Sequence, residues 1–255
     1  MSDNWPFKEG STSWPFVNVA NFPFGPEPNF PFDDKGNFPF ANSGGAASAF
    51  GLRWSDDFER ADSATLGGDW TEDPTYNNFA ISGGNLARPG GSFNYAHAWV
   101  TSGAAVASAK DRIAIEAKGY GSAGSNYNLG FGMGAAAGQL ASVHGYGVWR
   151  ATGSGVSILR LEADGSPTVL ASRSPSGLSS DGSTTTDLKL EIIKDGAAVI
   201  LRLYENGVQL GADINDATPG DAYGVFTTAY PTVNSNGSAA NAPNNPRVGG
   251  VEVSY

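Results

Sequence analysis

Beyond residue 50, this chain consists of short segments in which hydrophobic and polar residues alternate, with turn residues between them. In residues 112–118, for example, Ile113 and Ile115 fall on one face. Residues 188–194 and 197–205 follow the same period of two and are joined by an Asp-Gly pair. Asp-Gly supplies the positive φ angles that tight hairpin turns need, so these segments predict a β-hairpin.

The same pattern recurs along the rest of the chain, whereas no segment shows a sustained helical period. We predict further strands within residues 51–60, 79–86, 129–133, 146–150, 156–162, 167–171, 208–210, 224–228 and 248–255. Many short antiparallel strands with turns between them are typical of a sandwich or barrel. We therefore predict one all-β domain over residues 50–255, an antiparallel jelly-roll β-sandwich, because this length suffices for a single core.

The first 41 residues follow a different pattern, in which two aromatic residues flank a proline five times. The repeats begin at residues 4, 13, 21, 29 and 37. The residue before each proline is restricted to extended geometry, so we predict an extended, non-globular arm over residues 1–41. Residues 42–49 are rich in Gly, Ala and Ser and predict a flexible linker. The ten rings of the arm are Trp5, Phe7, Trp14, Phe16, Phe22, Phe24, Phe30, Phe32, Phe38 and Phe40.

Rings repeated at a nearly fixed step predict that the arm docks at repeated pockets of an assembly. Five linked contacts give high avidity even when each contact is weak. Two alternatives stay open at this point: a disordered low-complexity tail, and arms that pair with one another, for example around a trimer axis. Disordered tails are usually poor in aromatic residues, so we favour docking, with the ten rings as assembly anchors.

The composition of the chain limits the classes of partner and site that we expect. The formal net charge is −10, which disfavours nucleic acid because phosphates need a basic surface. There is no cysteine, so neither disulfides nor Cys-based zinc sites are available. No apolar run is long enough to span a membrane, and the first residues lack a Sec-type signal. We expect a protein made in the cytoplasm that works in a virion or an extracellular assembly.

Three stretches resemble the concanavalin A-like (laminin G-like) jelly rolls. They are the opening Trp-Ser-Asp-Asp-Phe of residues 54–58 with its continuation to Trp70, the hairpin of residues 188–205, and the final strand of residues 250–255. The resemblance covers roughly residues 50–255 and does not extend to the arm. Domains of this kind recur in bacteriophage structural proteins and in sugar-binding or glucanase modules, so the resemblance implies those settings.

Catalytic chemistry finds little support in the sequence. Jelly-roll glucanases carry Glu-x-Asp-x-x-Glu on one strand, because two carboxylates must face one cleft. Residues 111–116 and 189–191 are the nearest candidates, and neither has the alternate-position pair. Residues 119–124 match the dinucleotide-binding fingerprint GxGxxG, but no predicted helix follows them. The two histidines, His97 and His144, are far apart in the sequence. We therefore predict that the protein is not an enzyme and requires no cofactor.

Two kinds of binding site remain as candidates. The resemblance implies a structural calcium ion near the first and last strands, for which Asp56, Asp57 and Glu252 are the candidate ligands, with solvated surface acids as the favoured alternative. Sugar binding would use an exposed aromatic face, although most large aromatics in a sandwich belong to the core. The candidate aromatic residues are Tyr95, Trp99, Tyr127, Tyr146 and Trp149.

The sequence as a whole favours a non-enzymatic structural protein of a repetitive assembly. We predict a bacteriophage virion surface protein, of the decoration or fibre kind, anchored by the arm and displaying the jelly roll. Its partners would be other protein subunits and polysaccharide. The alternatives are a self-assembling extracellular filament subunit and a carbohydrate-binding tail-fibre or adhesin module.

Overall fold

The structure is a computed structural model that describes residues 51–87, 96–121, 127–138, 144–150, 155–164, 166–179, 184–237 and 247–255. The chain divides into two units, Met1–Ala49 and Phe50–Tyr255. All described residues belong to the second unit. The predicted arm, its ten ring anchors and the linker therefore lie outside the described residues. In the described part of the chain, no helix is long and apolar enough to cross a membrane.

The described residues form eighteen β-strands and a 3₁₀ helix, Gly220–Phe226. The strands are β1 (Leu52–Asp56), β2 (Trp70–Glu72), β3 (Ala80–Ser82), β4 (Asn85–Ala87), β5 (Ala96–Val100), β6 (Ala107–Ser108), β7 (Arg112–Tyr120), β8 (Tyr127–Gly134), β9 (Gly145–Arg150), β10 (Val156–Leu161), β11 (Pro167–Arg173), β12 (Thr186–Asp195), β13 (Ala198–Glu205), β14 (Val208–Gln209), β15 (Ile214–Asp216), β16 (Thr228–Gly237), β17 (Arg247–Val248) and β18 (Gly250–Ser254).

The strands pair into two large sheets and a small one. The seven-stranded sheet has the order β1-β18-β7-β12-β13-β14, with β15 also paired to β13. The eight-stranded sheet has the order β11-β10-β9-β8-β16-β5-β2, with β6 also paired to β16. The small sheet is β17-β4-β3. Neighbours in the large sheets are antiparallel, and most of them are distant in sequence, so the strands do not follow chain order.

One hydrophobic core lies between the two large sheets. Alternate residues of β13 are buried, and Leu188, Leu190 and Ile192 of β12 contribute to the same cluster as Leu129 and Phe131 of β8. The period of two therefore directs one face of each sheet inward. The predicted all-β jelly-roll sandwich is confirmed.

The Asn-Gly turn has the predicted geometry, because Asn206 and Gly207 have φ +48° and +80°. In the other hairpin, Asp195 still pairs with Ala198, and of the Asp-Gly pair only Gly196 has a positive φ, +60°. One predicted strand is wrong, because residues 220–226 form the 3₁₀ helix and β16 begins only at Thr228. Gly220 turns the chain with φ +55°, and the helix buries Val225 and Phe226 in the core. Tertiary burial thus overrides the strand propensity of this short apolar segment.

Candidate functional site

The face of the eight-stranded sheet that is turned away from the core, here called the outer face, carries a row of side chains from four strands. His97 of β5 lies opposite Asn234 of β16. Asn234 lies opposite Gly130 of β8, and Gly130 lies opposite Trp149 of β9. Directly opposed residues point to the same face of a sheet. These four residues form the central row.

The chain neighbours of the central row show that it faces away from the core. Ala96 and Ala98 flank His97 and belong to the core cluster, as do Leu129, Phe131 and Val148, which flank Gly130 and Trp149. Since successive side chains of a strand point to opposite faces, the central row lies on the outer face.

Trp149 and Asn234 meet above Gly130, where a side chain would not fit. A Cβ atom added to Gly130 would lie 2.4 Å from Asn234 Oδ1 and 2.4 Å from Trp149 Cδ1. Glycine at this position therefore lets the amide of Asn234 and the indole of Trp149 share one place on the sheet. Trp149 is only partly buried, so part of its ring remains accessible beside a fixed polar group.

A second row runs beside the first. Trp99 lies opposite Thr232, Thr232 opposite Gly132, and Gly132 opposite Gly147. Strands β8 and β9 thus place buried glycines at successive outward positions, here called the glycine floor. The sequence already shows this as Leu-Gly-Phe-Gly-Met-Gly in residues 129–134. Glycine in a strand often marks the close approach of a ligand or another backbone.

Two members of the central row hold buried polar atoms without partners. Among the described residues, the two ring nitrogens of His97 and the indole nitrogen of Trp149 have no hydrogen-bond partner. Backbone groups of Gly138 and Val233 lie near the imidazole, but they lack hydrogen-bonding geometry with it. Buried polar groups are normally satisfied, so unsatisfied ones require an explanation such as water or a ligand.

The imidazole of His97 is held in its neutral form. Burial lowers the pKa of His97 to about 4, although the nearby Asp73 carboxylate acts in the opposite direction. Asp73 is itself fully buried, and its amide donates to the carbonyl of His97 at 2.9 Å. Its carboxylate accepts a hydrogen bond from the amide of Thr75 at 2.9 Å. The ring of His97 packs 5.6 Å from that of Trp99, centroid to centroid.

The predicted sugar-binding aromatics are only partly brought together. Trp99 and Trp149 lie on the outer face, in neighbouring rows. Tyr146 does not, because it faces the core, is fully buried and donates its hydroxyl to Asp216 at 2.9 Å. Tyr95 and the side chain of Tyr127 lie outside the described residues.

Sequence reasoning missed His97, Asn234 and Thr232 as parts of this face. Their positions in β5 and β16 carry no local motif. The available signal was the alternation of small residues with polar or aromatic ones in Ala-His-Ala-Trp-Val, residues 96–100.

The candidate calcium ligands all contact other groups of the protein. Asp56 accepts two hydrogen bonds from Arg60, at 2.7 and 3.1 Å, and a third from the indole of Trp70 at 2.8 Å. Glu252 lies 3.5 Å from the amine of Lys118. Asp57 accepts a hydrogen bond from the backbone amide of Glu59. In the described part of the chain, no three acidic or histidine side chains gather into a metal-binding group.

No protein-family model matches the chain, and no curated protein matches it either. Solved structures do share its fold. The carbohydrate recognition domain of Emp46p matches with a TM-score of 0.54 and 13% identity over 80% of this chain and 97% of that one, and it has also been solved in a potassium-bound form. A CBM2 module of the evolved Dit of Lactobacillus casei BL23 phage J-1 matches with a TM-score of 0.50 and 11% identity, over 80% of this chain and 95% of the module.

These likenesses define the fold class as a concanavalin A-like jelly roll. They also correct the prediction that the chain is not an enzyme. The endo-1,3-β-glucanase from Streptomyces sioyaensis has the same fold, with a TM-score of 0.54 and 11% identity over 81% of this chain and 96% of the enzyme. The prediction relied on the absence of one carboxylate pattern, but the fold itself also occurs in a glucanase. The fold is thus shared by glycan-recognising and glycan-cleaving domains.

Proposed function

We propose that the jelly roll binds carbohydrate on its outer face, at the central row and the glycine floor beside it. The observation that carries this proposal is that Trp149, which is only partly buried, and His97 lie in one row and that both hold buried polar atoms without partners. Ligand sites typically combine apolar and aromatic walls with a few placed polar groups.

The chemistry of a sugar ring suits these groups. One face of a pyranose presents C–H bonds that pack on an indole, and its edge presents hydroxyls that both donate and accept. Asn234 offers an amide, and a neutral His97 offers one donor and one acceptor. The neighbours that are named as carbohydrate-recognition or CBM2 modules support the same reading.

A binding assay with the full chain tests this proposal. Titration calorimetry against mannohexaose, cellohexaose and laminarihexaose should find at least one ligand. Trp149→Ala should then weaken binding about tenfold or more, because a buried indole contact of this kind contributes well over 1 kcal/mol. Trp54→Ala is the matched control, since Trp54 is also partly buried but lies on β1 of the other sheet. Equal affinity of the Trp149 variant and the wild type would refute the site.

The same samples should be examined for cleavage, since glucanases share the fold. New reducing ends in the laminarihexaose sample would add hydrolysis to binding. Hydrolysis of this bond normally needs two carboxylates, and Asp73 is a carboxylate beside the central row. Loss of cleavage in Asp73→Asn, with binding retained, would assign it a catalytic role.

We further propose that the arm anchors this domain to a repetitive assembly, most simply the surface of a bacteriophage particle that acts outside the cell. The five aromatic-proline repeats support this proposal, and so does the occurrence of the fold in a phage Dit module. Removal of residues 1–41 should leave a folded sandwich that no longer joins the particle. Normal incorporation of the truncated protein would contradict it. Fibres formed by the pure full-length protein would favour self-assembly instead.

A further inference from the structure

A groove of about 690 Å³ lies between the seven-stranded sheet and the small sheet. It is lined by residues 59–61, which follow β1, by residues 83–85 at the β3–β4 turn, and by Gly249 between β17 and β18. Sites for small ligands typically measure about 300–1,000 Å³. Glu59 and Gly83 are exposed, so the groove is open to solvent.

The β3–β4 turn that forms one side of the groove is held in place by side chains. Gly83 and Gly84 have φ +57° and +71°. The carboxylate of Asp62 accepts a hydrogen bond from the amide of Gly83 at 2.8 Å, and Asn85 Nδ2 donates to the carbonyl of Gly83 at 2.7 Å. The second bond orients the amide of Asn85. Its Oδ1 lies in the lining of the groove, because a Cβ atom added to Gly249 would be 3.6 Å from it.

The chain before the groove has a strained backbone. Phe58 has φ +55° and is fully buried, a conformation that is unfavourable for a bulky residue. Arg60 donates to both carboxylate oxygens of Asp56, at 2.7 and 3.1 Å, and to the carbonyl of Leu66 at 2.9 Å. These bonds fix the backbone on both sides of Glu59. Strain that the surrounding structure maintains in this way is frequent at ligand sites.

We propose that this groove is a second carbohydrate site, which binds a single sugar unit such as the end of a glycan chain. The carboxylate of Glu59 and the amide oxygen of Asn85 accept hydrogen bonds, and neighbouring hydroxyls of a sugar ring donate them. Among the described residues, no atom lies within 4 Å of a Cβ atom added to Gly83 or Gly84. The turn therefore leaves space for the ring.

The groove is separate from the central row and from the glycine floor, with which it shares no residue. The two sites can therefore bind independently of each other. A domain that carries both would bind a surface presenting many glycan ends with added avidity.

The amide NMR signals of the isotope-labelled full chain report binding in the groove directly. Titration with the methyl glycosides of glucose, galactose, mannose and fucose should shift the signals of Gly83, Gly84 and Gly249 with at least one sugar. Glu59→Gln should weaken the binding of that sugar about tenfold, because a charged acceptor forms stronger hydrogen bonds than a neutral amide. Absence of these shifts with all four sugars would overturn the second site.

Two further comparisons separate the groove from the central row. Trp149→Ala should leave the affinity of the methyl glycoside unchanged, and a loss in this variant would mean that the sugar binds at the central row instead. Ala61 is exposed and lines the groove, so Ala61→Leu should abolish binding by filling it. Ala217→Leu is the matched control, since Ala217 is also exposed but follows β15. Equal affinity of these two leucine variants would contradict a site in the groove and leave the proposed function standing.

Discussion

Replacement of His97 by phenylalanine should flatten the pH dependence of stability between pH 7 and pH 5. In the native protein the imidazole is buried, and its pKa lies near 4 rather than at the ordinary 6.5. Between these two values the unfolded chain binds a proton that the folded chain does not. Stability therefore falls as the pH falls through this window. A phenylalanine keeps a ring of similar size in the site and has no proton to bind.

The size of the effect follows from the pKa difference. Each pKa unit corresponds to about 1.4 kcal/mol, so the wild type should lose about 2 kcal/mol of unfolding free energy from His97 alone between pH 7 and pH 5. Carboxylates titrate in the wild type and in the variant alike. The difference between the two pH curves thus isolates the contribution of His97.

Urea unfolding followed by tryptophan fluorescence at pH 7, 6 and 5 measures these curves. Between pH 7 and pH 5, the unfolding free energy of His97→Phe should fall by about 2 kcal/mol less than that of the wild type. This difference should appear whatever the stability of the variant at pH 7. Trp54→Ala serves as a control for general destabilisation, and its curve should run parallel to that of the wild type. A variant slope equal to the wild-type slope would mean that His97 is solvated, and the account of a desolvated central row would fail.

Three other changes test the packing. Gly132→Ala should lower the unfolding free energy by about 2 kcal/mol or more, because its Cβ would lie 2.3 Å from the carbonyl oxygen of Tyr146. Gly103 lies in open space, so Gly103→Ala should change the unfolding free energy by less than about 0.5 kcal/mol. Glu205→Ala should cost about 3 kcal/mol, because the amides of Ser176 and Gly177 lose their acceptor. Tyr146→Phe should cost about 1 kcal/mol by removing the hydrogen bond to Asp216. Unfolding in urea at pH 7 decides each case, and a Gly132 variant as stable as the Gly103 variant would contradict the close strand contact.

Much of the fold could be predicted from the sequence, because the relevant forces act locally. The period of two in residues 188–194 and 197–205 and the Asp-Gly and Asn-Gly pairs between strands specify hairpins without reference to the rest of the chain. Residues 224–228 are the exception. Their sequence predicts a strand, but residues 220–226 form a 3₁₀ helix that buries Val225 and Phe226 in the core.

The candidate site could be predicted only in fragments. Tyr146 and Trp149 are three residues apart in one strand, so the period of two already places them on opposite faces. Because the sequence does not say which face is the core, it predicts Tyr146 as a sugar contact. In the structure Tyr146 is buried and donates its hydroxyl to Asp216. The alternate glycines of residues 129–134 were likewise visible in the sequence, without any sign of what would lie above them.

By itself, the sequence determined that the domain is an antiparallel β-sandwich, because alternation and turn residues act over a few neighbouring residues. Only the tertiary structure decided that residues 97, 130, 149 and 234 share one row. They come from four strands whose order in the sheet differs from their order in the chain. Such a row depends on which strands pair and in what register, and pairing is decided by the burial of a common core rather than by any local pattern.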